Sequence, residues 1–202
     1  MRGQAGLVCL MLMGCAHKVT VVPKAPLVAP ADVPIVQDFN ARVKRYVEVR
    51  DNAEKSLPKL PDKAEASNIT AHRNALTEAV LKARPNAKQG EMFTPDIRPY
   101  FSRVIRSEMR GSDGEPAREA IKEGNPRYGE SSGPVVIQVN HRYPDKQPSS
   151  VVPPTLLVRL PALPEGLSYR FVGRDLILRD EKTGLVIDIF PAAAPRLVGV
   201  KS

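Results

Sequence analysis

The chain has 202 residues, of which 30 are Lys or Arg and 22 are Asp or Glu, so its formal net charge is +8. A chain of this length is expected to form about one domain with a modest aliphatic core. No apolar run approaches the ~20 residues that a membrane-spanning helix needs, and two cysteines are too few for a disulfide scaffold or a four-cysteine zinc site. The composition therefore excludes a polytopic membrane protein and a disulfide-stabilised miniature domain.

The excess of positive charge is spread along the chain. Residues 1–56 carry eight basic and five acidic side chains, and residues 91–130 carry seven and eight. Because nucleic-acid-binding proteins usually concentrate their basic residues on one face or in one tail, we predict no nucleic-acid partner. The densest basic cluster is Arg42, Lys44 and Arg45, which we expect on the exposed side of a helix. These three residues are the candidate contacts for a partner.

The first residues are typical of an export signal. A positive start at Arg2 is followed by an apolar stretch from Ala5 to Met13, which is too short to remain as a spanning helix. The stretch ends in Leu12-Met13-Gly14-Cys15, and this quartet resembles the lipobox of bacterial lipoproteins. The resemblance implies removal of residues 1–14, a diacylglycerol thioether on the Cys15 sulfur and acylation of the new amino group.

This chemistry predicts where the protein resides. A cysteine thiolate is the natural nucleophile for such a thioether, and two or more acyl chains hold a protein firmly on a bilayer, whereas one chain does so only marginally. The resemblance also implies delivery to the outer membrane, because the residue after Cys15 is Ala16 and not an aspartate. We therefore expect a lipid-anchored envelope protein on the outer membrane, facing the periplasm. Residues 15–34 contain four prolines and are predicted to form an extended tether.

The spacing of apolar residues predicts about three helices in residues 35–110. The first covers residues 35–56, the second lies between Asp62 and Ala83, and the third ends at Gly111. Thr94, Pro95 and Asp96 suit the start of the third helix as N-cap, first residue and acidic partner of the helix dipole. The predicted buried stripes are Val36, Phe39, Val43, Tyr46, Val47 and Arg50, then Ile69, Leu76, Val80 and Ala83, then Ile97, Phe101, Val104 and Ile105.

The second half of the chain is predicted to be rich in β-strands. Residues 111–134 are rich in glycine and polar residues and are interpreted as a flexible connection with room for a short helix at Pro116–Glu123. Residues 135–191 contain a Pro/Ser loop at 144–154, and residues 154–161 fit either a helical turn or a strand. We expect turns at Gly173 and Gly184 and a tail at 192–202. The predicted strands are Val135–Asn140, Ser168–Val172, Asp175–Arg179 and Leu185–Phe190, with Leu185, Ile187 and Ile189 facing away from Val186, Asp188 and Phe190. Helices followed by a small antiparallel β-meander define an α+β fold.

The segment from Tyr169 to Phe190 resembles the C-terminal hairpin of RcnB-type periplasmic proteins of nickel and cobalt homeostasis. The resemblance covers 22 of the 202 residues and implies an apolar hairpin with a Val-Gly turn and a Thr-Gly turn. It also implies, as an alternative function, a periplasmic protein of metal homeostasis. The matching positions are Tyr169, Val172, Gly173, Leu176–Leu178, Asp180, Thr183, Gly184 and Val186–Ile189.

The sequence contains letters of enzyme motifs in contexts that do not suit them. Gly129–Gly133 fits G-x-S-x-G, but a nucleophile elbow needs a strand before the serine and a helix after it, whereas prolines 126 and 134 flank this stretch. Ser56 and Lys59 fit S-x-x-K, but Pro58 prevents them from sharing a helical turn. His17, His72 and His141 are isolated and form no metal-ligand pattern. We predict no catalytic residue, no metal ligand and no cofactor.

These observations favour a non-enzymatic, lipid-anchored envelope protein that acts as a binding or scaffolding module. The expected partners are the membrane, through the lipid on Cys15, and an envelope protein or cell-wall polymer. A cell-envelope hydrolase is a further alternative, which would require Ser131 or Ser132, His141 and an acid to meet in one pocket.

Overall fold

The computed structural model describes residues 28–123, 136–144 and 147–196. Cys15, Ser131 and Ser132 lie outside these ranges. A short 3₁₀ helix at Pro30–Asp32 leads into the first α-helix. The elements that follow are α1 (Val33–Lys55), α2 (Ala66–Ala83), α3 (Arg98–Glu108), α4 (Glu115–Glu123), β1 (Ser150–Val151), α5 (Pro154–Leu157), β2 (Leu167–Val172), β3 (Asp175–Asp180) and β4 (Val186–Phe190).

The fold is α+β, as predicted, with helices first and an antiparallel sheet last. The four strands are in the order β1-β2-β3-β4, and each neighbouring pair is antiparallel. The turns predicted at Gly173 and Gly184 are confirmed, with φ values of 59° and 77°. Only glycine adopts such angles readily. Among the described residues, none of the helices combines the length and apolarity needed to cross a membrane.

The three predicted helices are present, with changes at their ends. The third begins at Arg98, with Ile97 in the N-cap position that was predicted for Thr94, and no side chain caps it. Ile69 was predicted to be buried but is 51% exposed. Ala83 is exposed as well. The buried side of α2 consists of Leu76, Thr77 and Val80, so both ends of this helix extend beyond the core.

The connection predicted at 111–134 contains an ordered helix, α4, whose Ala117 and Ile121 are buried. The backbone oxygen of Ile121 accepts a hydrogen bond from the Ser150 hydroxyl, which joins α4 to the edge strand β1. The loop predicted at 144–154 therefore contains a strand. The ambiguity over residues 154–161 is resolved as the helical turn α5.

The strand predicted at Val135–Asn140 is wrong for the described residues 136–140, which form no strand. Instead, the segment crosses the outer face of the sheet, and Asn140 turns the chain with φ 60°. Ile137, Val139 and Tyr143 pack against Val172, Ile177, Val186 and Ile189. The apolar residues that suggested a strand are a cover over the sheet, which is consequently buried on both faces.

The face assignment predicted for β4 is also wrong, because the strand contains a β-bulge. Leu178 pairs with Asp188 and Arg179 with Val186, which leaves Ile187 as the extra residue. A bulge inserts one residue and shifts the alternation of side chains beyond it. Leu185, Ile187 and Phe190 consequently join the main core, whereas Val186 and Ile189 face the cover.

The main core lies between the helices and the inner face of the sheet. Its centre is Phe101, whose ring lies 5.3 Å from Phe39, 5.2 Å from Phe93 and 5.8 Å from Tyr169. These tilted and edge-to-face arrangements are the favourable ones for aromatic pairs. Ala193 and Ala194 of the predicted tail are buried against the same core.

Candidate functional site

The predicted contact residues Arg42, Lys44 and Arg45 do not form one surface. Arg42 Nε donates to Asp38 Oδ2 at 2.6 Å, and its Nη1 donates to the Glu91 backbone oxygen at 3.3 Å. Arg42 and Arg45 line a shallow groove of about 250 Å³ with Arg84 and Glu91. Two residues along a helix correspond to a rotation of about 200°, so Lys44 points elsewhere and approaches Glu48 at 4.0 Å.

A stronger basic surface lies on α3. Arg103 and Arg106 lie three residues apart on α3, which places them on neighbouring parts of the helix surface, and Arg110 follows two residues after the helix ends. Together with Pro99, Ser102 and Ser107 they line a groove of about 520 Å³. We call Arg103, Arg106 and Arg110 the α3 arginine stripe.

The α3 arginine stripe points away from the domain. The opposite side of α3 is buried through Tyr100, Phe101, Val104 and Ile105. Glu108, the single carboxylate of α3, is paired with Arg159. Arg103 Nη2 lies 2.5 Å from Asp32 Oδ2, whereas no carboxylate within the described ranges pairs with Arg106 or Arg110. The outer side of this helix is therefore strongly positive.

A cleft of about 790 Å³ lies at the C-terminal end of α1 beside the β3–β4 turn. Several of its charged side chains are paired. Arg50 is 4% exposed, bonds Asp51 Oδ1 at 3.1 Å through Nη2, and places Nη1 3.8 Å from Asp180 Oδ1. Lys182 Nζ contacts Glu54 Oε2 at 2.7 Å. These contacts engage Arg50, Asp51, Glu54 and Lys182 with one another or with Asp180, while Lys55, Lys59 and Glu165 also line the cleft.

Asp180 fastens the β3–β4 turn to α1. Its Oδ2 accepts a hydrogen bond from the Tyr46 hydroxyl at 2.6 Å, and its Oδ1 accepts one from Lys182 N at 2.8 Å. Burial, and then the Asp180 carboxylate, raise the pKa of Tyr46 far above its ordinary value. Burial likewise raises the pKa of Tyr169 well above that of free tyrosine. Both phenols therefore act as hydrogen-bond donors and not as bases.

The Tyr46 phenol predicts a loss of stability at alkaline pH. Its pKa is raised in the folded state, so its contribution is fully present below about pH 10, the unfolded pKa, and decreases as the pH rises above that value. We expect Tyr46→Phe to make the free energy of unfolding less dependent on pH, by up to about 1.4 kcal/mol per pH unit above pH 10. Urea unfolding of both proteins between pH 8 and 11 measures the slopes, and identical slopes would contradict the assignment.

Asp188 is a second buried carboxylate with a structural role. It is fully buried and accepts hydrogen bonds from the backbone nitrogens of Gly90, Met92 and Phe93 at 2.7–2.8 Å. The bulge at Ile187 accounts for its orientation towards this loop. Asp188 therefore fixes the α2–α3 connection on β4, and with it the start of α3.

Of the serine–histidine set considered for catalysis, His141 lies among the described residues. His141 is exposed, and its Nδ1 lies 3.0 Å from the Val139 backbone oxygen. The described ranges hold no group of three His, Cys, Asp or Glu side chains able to bind a metal ion. Ser131, Ser132 and His17 lie outside the described residues.

The hairpin positions that resemble RcnB-type proteins have structural roles in this chain. The Thr183 hydroxyl accepts a hydrogen bond from Leu185 N at 3.2 Å, and the Thr183 backbone oxygen accepts one from the Thr77 hydroxyl at 3.2 Å. With Asp180 and Gly184 these contacts form the turn and dock it on the helices. In this chain, Asp180, Thr183 and Gly184 therefore stabilise the turn and its contact with α1 and α2.

Comparisons with protein-family models, with curated proteins and with solved structures found no match to this chain.

Proposed function

We propose that this protein is a non-enzymatic lipoprotein of the bacterial cell envelope, anchored through Cys15 to the periplasmic side of the outer membrane. In this proposal its folded domain is a binding or scaffolding module for an envelope protein or cell-wall polymer. The observation that carries the proposal is the lipobox-like quartet Leu12-Met13-Gly14-Cys15 directly after a short apolar stretch.

The position of the folded domain supports a tethered arrangement. Val28 already packs against the main core, so the tether predicted at 15–34 is shortened to the residues between Cys15 and Val28. A chain of this length can reach at most about 45 Å. The domain would therefore remain close to the bilayer and to partners in its vicinity.

The surfaces of the domain support a binding role. The α3 arginine stripe presents guanidinium groups, which bind carboxylates and phosphates through two parallel hydrogen bonds. Arg103 and Arg106 of the stripe are carried by a helix whose opposite side is held in the core by four buried residues. A rigid element that presents unpaired positive charge is well suited to an anionic partner.

Substitution of Cys15 tests the anchor. In cells supplied with a fatty-acid analogue, we expect Cys15→Ser to abolish labelling and to move the protein from the membrane fraction to the soluble fraction or to an unprocessed precursor. The thioether requires the sulfur of that residue. Cys9→Ser is the matched control, because Cys9 belongs to the segment that is removed, and it should retain full labelling.

A different labelling pattern would contradict the proposed anchor. If Cys15→Ser retains the label, or if Cys9→Ser loses it to the same extent, the lipid anchor at Cys15 is wrong and the proposed location is lost with it.

A further inference from the structure

We propose that the α3 arginine stripe docks the domain onto the anionic phospholipid surface to which the chain is anchored. This inference rests on the proposed function for its setting, but the surface itself is defined by contacts within the described domain. The occupant is a lipid bilayer containing phosphatidylglycerol or a similar anionic headgroup.

The first support is the place where the chain enters the domain. Asp32, at the end of the 3₁₀ helix, pairs with Arg103 of the stripe at 2.5 Å. Val28, four residues earlier, packs on the main core. The attachment point of the tether therefore lies beside the α3 arginine stripe.

The second support is the length of chain outside the domain. Twelve residues separate Cys15 from Val28, so the entry point is confined within about 45 Å of the lipid anchor. Confinement to such a distance gives a high effective concentration of lipid headgroups around the entry point. A surface next to that point meets the bilayer more often than a surface at the far end of the domain.

The third support is charge complementarity. Arg106 and Arg110 are exposed and lack carboxylate partners among the described side chains. Guanidinium groups match phosphate oxygens in geometry and are more weakly hydrated than ammonium groups. Each basic residue close to an anionic membrane surface strengthens binding by about fivefold at moderate ionic strength.

The α1 residues Arg42 and Arg45 fit this role less well. Arg42 already uses its guanidinium on Asp38 and on the Glu91 backbone oxygen. Its groove also contains the Glu91 carboxylate, which is paired with Arg84 at 2.8 Å. Two of the three arginines at this groove, Arg42 and Arg84, are therefore already engaged by carboxylates, unlike Arg106 and Arg110 among the described side chains.

The test uses residues 16–202, which lack the signal segment and the lipidated cysteine. Every described residue of both core clusters lies within this range, so the tested chain contains the whole described core. The probe is a vesicle of phosphatidylcholine with 40% phosphatidylglycerol, compared with a vesicle of phosphatidylcholine alone, in sedimentation assays at ~0.1 M salt, where the screening length is ~10 Å.

We expect the protein to bind the anionic vesicles at least tenfold more strongly than the neutral ones, and to be released at 0.5 M salt. The double variant Arg106→Glu/Arg110→Glu should weaken binding to anionic vesicles by at least about twentyfold. The matched control is Lys59→Glu/Lys63→Glu, which causes the same change in net charge. Both lysines follow the C-terminal end of α1, and the length of that helix, about 34 Å, separates this end from Asp32. We therefore expect this control to weaken binding by less than about threefold.

Equal binding to both vesicles by the unaltered protein, or equal losses in the two double variants, would overturn the proposal. Because the tested chain has no Cys15, the result is independent of lipidation. A failure of the anchor would appear in the Cys15→Ser labelling, and a failure of the docking surface would appear only in the vesicle assay. Unchanged circular dichroism and thermal transitions of the variants establish that their folds are intact.

Discussion

Replacing Asp188 by asparagine is expected to lower the free energy of unfolding by about 2–3 kcal/mol, the cost of leaving buried backbone donors without their charged acceptor. The carboxylate is fully buried and accepts four backbone hydrogen bonds, from Gly90, Met92 and Phe93 and from its neighbour Ile189. Asparagine has nearly the same shape, but an NH2 group replaces one of the two oxygens and would face the backbone donors of that oxygen. Buried donors without an acceptor are costly because they have lost their water.

Urea or guanidinium unfolding, followed by circular dichroism, measures this effect. Asp175→Asn is the matched control, since Asp175 accepts a single exposed hydrogen bond, from Ala192 N at 2.8 Å. We expect the control to lose no more than about 1 kcal/mol. A loss below 1 kcal/mol for Asp188→Asn would show that this carboxylate does not hold the α2–α3 connection.

Truncation of Phe101 to alanine is the second change with a large expected effect, about 3–5 kcal/mol. Phe101 has no exposed surface, and its ring contacts Phe39, Phe93, Tyr100 and Tyr169 at centroid distances of 5.2–5.9 Å. These rings come from α1, the α2–α3 connection, α3 and β2. The cavity would therefore open where the helices meet the sheet.

Two further variants make this prediction specific. Phe101→Leu fills most of the cavity, so its loss of stability should be clearly smaller than that of alanine. Ile69→Ala removes an apolar side chain that is 51% exposed, and it should change the free energy of unfolding by no more than about 0.5 kcal/mol. Equal losses for Phe101→Ala and Ile69→Ala would contradict the placement of the core.

The helices were predictable because their apolar residues recur at a spacing that reports one buried face. Val36, Phe39, Val43, Tyr46 and Arg50 are the buried residues of α1, as the spacing indicated. The position of residues 136–140 was not predictable in the same way. An apolar segment that covers a sheet has the same composition as a strand within it, and local periodicity cannot distinguish the two.

The β4 faces could not be predicted because a β-bulge has no reliable local signal. The extra residue, Ile187, belongs to an uninterrupted apolar run, and its effect depends on pairing with β3. Asp188 consequently looked like one position of an alternating strand. Its role as an acceptor for the backbone near residues 90–93 depends on contacts across almost a hundred residues.

The α3 arginine stripe was missed for a different reason. Counting charges over residues 91–130 gave near balance, because several acidic residues follow α3 in the chain. The signal that would have found the stripe is the spacing of Arg103, Arg106 and Arg110 by three and four, which is the same signal that was used for apolar residues. Averaging along a segment conceals a charge that is concentrated on one side of a helix.

The central claim is the lipid on Cys15, and mass spectrometry of the N-terminal peptide of the protein purified from its native membranes tests it most directly. The account predicts a chain that begins at Cys15 and carries a diacylglyceryl group on sulfur and an acyl group on nitrogen. A chain that begins at an unmodified Met1, or a Cys15 with a free thiol, would contradict it.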